Sequence, residues 1–148
     1  MIRPQLEGRT SKLQQDLETK VKAKLELKTQ HPKVKLDFPA IKSQSLLELI
    51  DYQTGTVVSK TLSNSIAGTI TLFAFDEGQG LSEHTSPFDA FVQILEGKAE
   101  ISVSSKPIIS SAGEIVVLPA NQPHSLKALS SFKMLLTMIR AKQETSPE

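Results

Sequence analysis

Apolar positions change their spacing part-way along the chain, and the change separates two kinds of structure. Between Ser11 and Gln30 the segment is rich in Lys, Glu and Gln and holds neither glycine nor proline. Leu13, Leu17, Val21 and Leu25 recur every four residues, which sets them along one narrow stripe of a helix. Ser11 and Gln14 fit a capping box at its start. Asp16–Lys20 and Glu18–Lys22 are acid-before-base pairs one turn apart. His31-Pro32 ends the helix, because a residue before proline is pushed out of the α region. A helix is therefore predicted over 11–30. Residues 33–45, with Pro39 among them, read as a linker. The stripe is one residue wide, so packing on the rest of the chain, pairing with a partner chain and fraying all stay open.

Beyond this extension (residues 1–44) the texture becomes β, and a barrel domain is placed at 45–141 with a polar tail at 142–148. Leu46–Tyr52 is a short apolar segment before a turn at Thr54-Gly55. Thr56–Leu62 and Gly68–Phe75 are rich in Thr, Val, Ile and Phe, as strands are. Glu96-Gly97 lies between Phe91–Leu95 and Ala99–Val103 and reads as a tight hairpin. Ser110–Gly113 is a second turn. Glu114–Leu118, Ser125–Leu129 and Phe132–Ile139 complete the strands. Many short strands at regular spacing argue for a sandwich or barrel. The last strand is apolar on both faces, so both need cover. The barrel interior supplies one cover, and the helix or a second subunit supplies the other. That need predicts a homodimer. Lys133 is expected in solvent, which directs Met134, Leu136 and Met138 inward.

Composition narrows the function classes. A chain of 148 residues is one domain by size. It has no cysteine, which excludes disulfides, thiolate sites and zinc ribbons and fits a reducing compartment. Lys and Arg number 17 against 16 Asp and Glu, a balance that offers nothing to nucleic acid or an acidic membrane. No apolar run is long enough for a bilayer or a signal peptide. The expectation is a cytoplasmic protein with no nucleic-acid or membrane partner.

Two spaced motifs carry the chemistry. The first is Gly78-x5-His84-x-Ser86-x3-Ala90-x6-Gly97, and the second is Gly113-x5-Pro119-x-Asn121-x2-His124-x3-Ala128. Together they resemble the two-part signature of the cupin superfamily. The short gap between Gly97 and Gly113 resembles the small single-domain cupins of the conserved-barrel type. So do the phrases Leu81-Ser82-Glu83-His84-Thr85 and Pro119-Ala120-Asn121-Gln122-Pro123-His124. The resemblance covers about Leu46 to Arg140. It implies an all-β, jelly-roll barrel, here with an N-terminal α-helical extension. It also implies an interior metal held by two histidines and a glutamate from the first motif and one histidine from the second. This chain keeps His84 and His124, but it has Ser86 at the second histidine position and Ala90 at the glutamate position. Ser86 is a poor ligand while protonated, and Ala90 offers no donor.

Strand alternation puts Ala90, Val92 and Ile94 on one face, and His124, Leu126 and Ala128 on another shared face. Asp89 and Gln93 then point away from the interior unless a bulge turns Asp89 inward. The expected metal ligands are His84 and His124, for nickel, zinc, iron or manganese. The expected pocket lining is Ser86, Ala90, Val92, Leu126, Met134 and Met138. Phosphate cradling is excluded, because Gly78-Gln79-Gly80 has no following helix and lysine. Paired-carboxylate catalysis lacks an inward carboxylate pair, and a serine nucleophile lacks an orienting acid. Three functions stay open. One is a module binding a small molecule or a weakly held divalent metal. Another is a metal-assisted oxygenase or isomerase of a small polar substrate. The third is a structural dimer with a vestigial pocket. Fold alone does not choose among them.

Overall fold

The computed structural model describes residues 12–22 and 42–142. The chain divides into two compact units, residues 1–34 and 35–148. In the first unit, residues 12–22 form a helix, α1. Thr19 Oγ1 donates to Gln15 O at 2.8 Å, a bond back to the preceding turn that a mid-helix threonine often makes. Leu13, Leu17 and Val21 are exposed. Ser11, Leu25 and the His31-Pro32 stop lie outside the described residues, as do most of the expected linker and tail. No described helix is long and apolar enough to cross a membrane.

The second unit opens with a 3-10 turn at Leu46–Leu49 and continues as nine strands among the described residues. These are β1 (Val57–Ser65), β2 (Gly68–Phe75), β3 (Gly80–His84), β4 (Phe88–Glu96), β5 (Lys98–Val103), β6 (Lys106–Ser111), β7 (Ile115–Leu118), β8 (His124–Ala128) and β9 (Phe132–Arg140). They build a five-stranded sheet, β1-β2-β9-β4-β7, and a four-stranded sheet, β3-β8-β5-β6. Every neighbouring pair is antiparallel. This is the jelly roll that the motifs imply. β3 and β6 are additions to the expected strand list, and Ser110 and Ser111 belong to β6 rather than to a turn.

Alternation explains the core between the sheets. On β4, Ala90, Val92 and Ile94 are buried while Gln93 is exposed; on β8, Leu126 and Ala128 are buried while Lys127 is exposed. These meet Phe75, Ile101, Phe132 and Met134 in one apolar cluster. The Phe75 and Phe132 rings stack at 4.5 Å, and neither is exposed. Each such side chain contributes about 1.5–3 kcal/mol by leaving water. Gly97 closes the β4–β5 hairpin at φ +79, and a Cβ there would lie 2.1 Å from Ser131 O. That close approach gives the last glycine of the first motif a steric reason.

A second cluster covers the outer face of the five-stranded sheet. Leu62, Leu72 and Ala74 pack there with Ile50, and Leu46, Leu49, Tyr52 and Leu135 join them. The cover over Leu135 is thus the Leu46–Tyr52 segment. Lys133 departs from its expected place in solvent: it is only 8% exposed. Its Nζ donates to Leu47 O at 2.7 Å and lies 3.8 Å from the Glu96 carboxylate and 5.0 Å from the Tyr52 ring centre. The Tyr52 hydroxyl donates to Glu96 Oε2 at 2.7 Å. Burial first, then the Glu96 hydrogen bond and charge, push the Tyr52 phenol well above its usual range. Lys133 therefore fastens the covering segment to β9. The alternation was right, but an outward direction here meets a second layer and not water.

Candidate functional site

The two motif histidines meet at the β3–β8 edge of the four-stranded sheet. His84 and His124 are direct cross-strand partners, and their rings lie 4.4 Å apart in an edge-to-face arrangement. A bulge brings this about. Gly80 pairs with Lys127 and Leu81 with Leu126, and then the register shifts so that His84 faces His124. Without the extra residue Glu83 would stand opposite His124, and a carboxylate would replace the imidazole. Glu83 and Thr85 are exposed, as alternation requires.

Both rings are held in the same way. His84 Nδ1 lies 2.7 Å from Ser82 O, and His124 Nδ1 lies 2.9 Å from Gln122 O. A backbone carbonyl only accepts, so in each neutral ring Nδ1 carries the proton and Nε2 keeps its lone pair. Neither Nε2 has a hydrogen-bond partner among the described residues. This is how a protein fixes the tautomer of a ligating histidine. The rings differ in setting: His124 is 6% exposed, while His84 is open to solvent.

The other expected residues divide into two groups. Ala90, Val92, Leu126 and Met134 are buried in the cluster between the sheets, and Leu136 and Met138 pack against it half-buried. Ala90 has Met138 and Leu118 as its ladder neighbours. Ser86 is half-buried in the connection from β3 to β4, where its Oγ accepts the Phe88 N–H at 3.3 Å. Asp89 stays on the outward face, because the register runs without a shift from Phe88 to Ile94. Its Oδ1 accepts the Ala120 N–H at 2.9 Å, so it anchors the loop that delivers His124.

That loop is tied from two sides. Asn121 N donates to Ser86 O at 2.7 Å, and Ser104 N donates to Pro123 O at 2.8 Å. Ser104 Oγ donates to Gln122 Oε1 at 2.6 Å. Pro119 and Pro123 bracket the loop and pre-set its backbone. The partners lie in other elements, and only pairing in space could reveal them.

The donor set can be weighed against a metal. Two imidazoles on one ion, each nitrogen about 2 Å from it, have ring centres roughly 4–6 Å apart, so the pair is close enough to share one. No three His, Asp or Glu side chains converge anywhere among the described residues. Transition metals favour four or more strong donors, and water would have to complete the shell. These residues fit a weakly held ion and do not fit a tightly held resident one.

The model of the cupin domain matches residues 71–140. A conserved protein of unknown function from Streptococcus pyogenes is 33% identical, with a TM-score of 0.68, over 71% of this chain and 92% of that one. The chain belongs to the cupin family. A cupin superfamily protein from Desulfitobacterium hafniense is 28% identical over 74% of this cupin and 99% of its own length, again with a TM-score of 0.68. A cupin 2 conserved barrel domain protein from Leptotrichia buccalis is 39% identical over 63% of this chain, but only 45% of that longer chain is covered, with a TM-score of 0.62. No curated protein matches. The names of these three relatives give no reaction.

Proposed function

We propose that this cupin is a binding module whose His84–His124 pair anchors a small molecule at the mouth of the barrel and holds a divalent metal only weakly. The observation that supports it most is the pair of unpartnered Nε2 atoms on tautomer-locked rings. Each is an acceptor awaiting a donor or a Lewis acid. A ligand hydroxyl, amine or bound water satisfies them without any protein rearrangement. Ala90, Val92, Leu126 and Met134 fill the core between the sheets, and Met138, half-buried against it, is the lining residue with room to adapt to a ligand's shape. A bound nickel, zinc, iron(II) or manganese ion would supply Lewis acidity here, with His84 and His124 as its protein ligands. Calorimetric titration of chelator-treated, tag-free protein with each ion tests this. Micromolar or weaker binding that disappears in His84→Ala is expected. Sub-micromolar binding that survives His84→Ala overturns it.

The same reading includes a homodimer. Ile70, Ile115, Val117 and Ile139 are exposed on the outward face of the five-stranded sheet, beyond the reach of the Leu46–Tyr52 cover. None of the four is ionisable. A second copy can lay the same apolar patch on this one across a two-fold axis. Sedimentation equilibrium at micromolar concentration should give twice the chain mass, and Val117→Lys should return a monomer. A wild-type monomer overturns the dimer.

A further inference from the structure

The non-glycine residues with positive φ among those described are Ser104 at 48°, Ser105 at 66° and Asn121 at 63°. All three lie around His124. Ser104 and Ser105 form the two-residue link between β5 and β6, with Val103 and Lys106 as the closing pair. Positive φ at both central positions is the signature of a type I′ turn, which strongly prefers Asn-Gly or Gly-Gly. Serine in that conformation is strained, and strain of this kind persists only where surrounding contacts hold it. The contacts here point one way. The turn gives its Ser104 N–H to Pro123 O and its Ser104 hydroxyl to Gln122 Oε1. Gln122 is the residue whose backbone oxygen takes the Nδ1 proton of His124. Val103, just before the turn, is the ladder partner of His124 on β5.

We infer that Ser104 is a positioning residue for His124: its hydroxyl grips Gln122 so that the Gln122 carbonyl stays aimed at Nδ1 and Nε2 stays free for a ligand. Glycine would relieve the turn, yet it would lose this grip. That gives position 104 a reason to hold serine where an easier glycine turn was open to it. On the other flank, Asp89 and the Ser86 carbonyl hold Ala120 and Asn121, so the loop is fixed at both ends of Gln122. This rests on the His84–His124 pair being the binding site, so its test must not depend on binding alone.

Two matched variants separate positioning from turn strain. Ser105→Gly relieves the turn and keeps the Ser104 hydroxyl. Ser104→Gly relieves the turn and removes it. Gln122→Ala removes the acceptor from the opposite side at an exposed position. The readout on the full chain without metal is the 15N–1H long-range spectrum of the imidazoles, which reports the protonated nitrogen directly. Nickel alone is the binding probe. In Ser105→Gly the His124 Nδ1–H signature and nickel affinity should match wild type. In Ser104→Gly and Gln122→Ala the signature should become a mixture of tautomers, and nickel affinity should fall roughly tenfold. His84 should keep its signature in all three. If His124 is unchanged in Ser104→Gly and Gln122→Ala, or equally changed in Ser105→Gly, the assignment of Ser104 is wrong. If wild type binds no nickel, the weak-metal reading fails, and the tautomer comparison alone decides the role of Ser104.

Discussion

The two sheets of this cupin are built for different purposes. The five-stranded sheet is apolar on its inner face and on half of its outer one, with Leu72, Ala74 and Leu135 under the Leu46–Tyr52 segment. Its middle strand, β9, is paired along its whole length on both sides. The four-stranded sheet has an exposed strand at each edge, and one of those edges carries His84. The first sheet is covered on its inner face and on part of its outer one. At the edge of the thinner layer His84 is open to solvent, while its partner His124 is 6% exposed.

The sharpest way to break this contrast is to damage each sheet in turn. Phe132→Ala removes a fully buried ring stacked on Phe75, and should cost about 3–5 kcal/mol. His84→Ala touches an exposed side chain and should stay within about 0.5 kcal/mol. Urea unfolding reads both, and His84→Ala should at the same time abolish nickel binding. A His84→Ala loss near that of Phe132→Ala would mean that the histidine edge is part of the fold's foundation.

Putting back the absent donors sharpens the comparison from the other side. Ser86→His with Ala90→Glu adds two donors to the pair, and nickel should bind about a hundredfold more tightly, near 3 kcal/mol. The new carboxylate starts at a position only 3% exposed, next to Met138 and Leu118. Without metal it should destabilise the barrel, because an unpaired buried carboxylate is costly. Thermal melts with and without nickel test both halves. Unimproved affinity would show that the Ala90 position does not reach the pair.

The contrast also explains what the sequence made legible. Strands of the five-stranded sheet were visible because burial imposes a pattern: β4 alternates and β9 carries apolar residues on both faces. β3 and β6 were missed because both are edge strands facing water. β6 reads exposed for four residues and contains Pro107, which an edge strand tolerates because one row of its N–H groups is unpaired. His84 and His124 were found by motif spacing, and the structure sets them face to face. The bulge that aims His84 was not legible, since one extra residue on an exposed strand leaves no mark in hydropathy. Lys133 misled for a simpler reason: charge was taken to mean solvent, and a carbonyl, a carboxylate and an aromatic ring were waiting for it.

Lys133 gives the next prediction. Lys133→Ala leaves Leu47 O without its donor and Glu96 without its cation, and should cost about 1–3 kcal/mol by urea unfolding. Lys133→Met keeps the apolar stem and should recover part of that. Nickel binding should not change in either, because the fastening lies on the outer face of the other sheet. A shifted nickel affinity would show that the two sheets are energetically coupled.

The smallest effect expected is a matter of pH, at the end of the five-stranded sheet. Asp76 joins three turns there: Gly55 N donates to Oδ2 at 2.7 Å, Ser131 Oγ donates to Oδ1 at 3.1 Å, and Glu77 N donates to Ser131 Oγ at 3.2 Å. The Gly55 N–H first, then the Ser131 hydroxyl, hold its carboxyl below the usual carboxylate range. A carboxyl whose folded pKa is lowered stabilises the fold above its unfolded pKa and loses that contribution as pH falls through the folded value. The contribution should therefore be complete at neutral pH and decline below about pH 4. Asp76 is only half-buried, so the effect is small and weakened further by salt. Urea unfolding of wild type and Asp76→Asn from pH 7 to pH 2 should give curves that are separate at neutral pH and converge in acid. Curves that stay parallel would mean the carboxylate charge does not hold these turns.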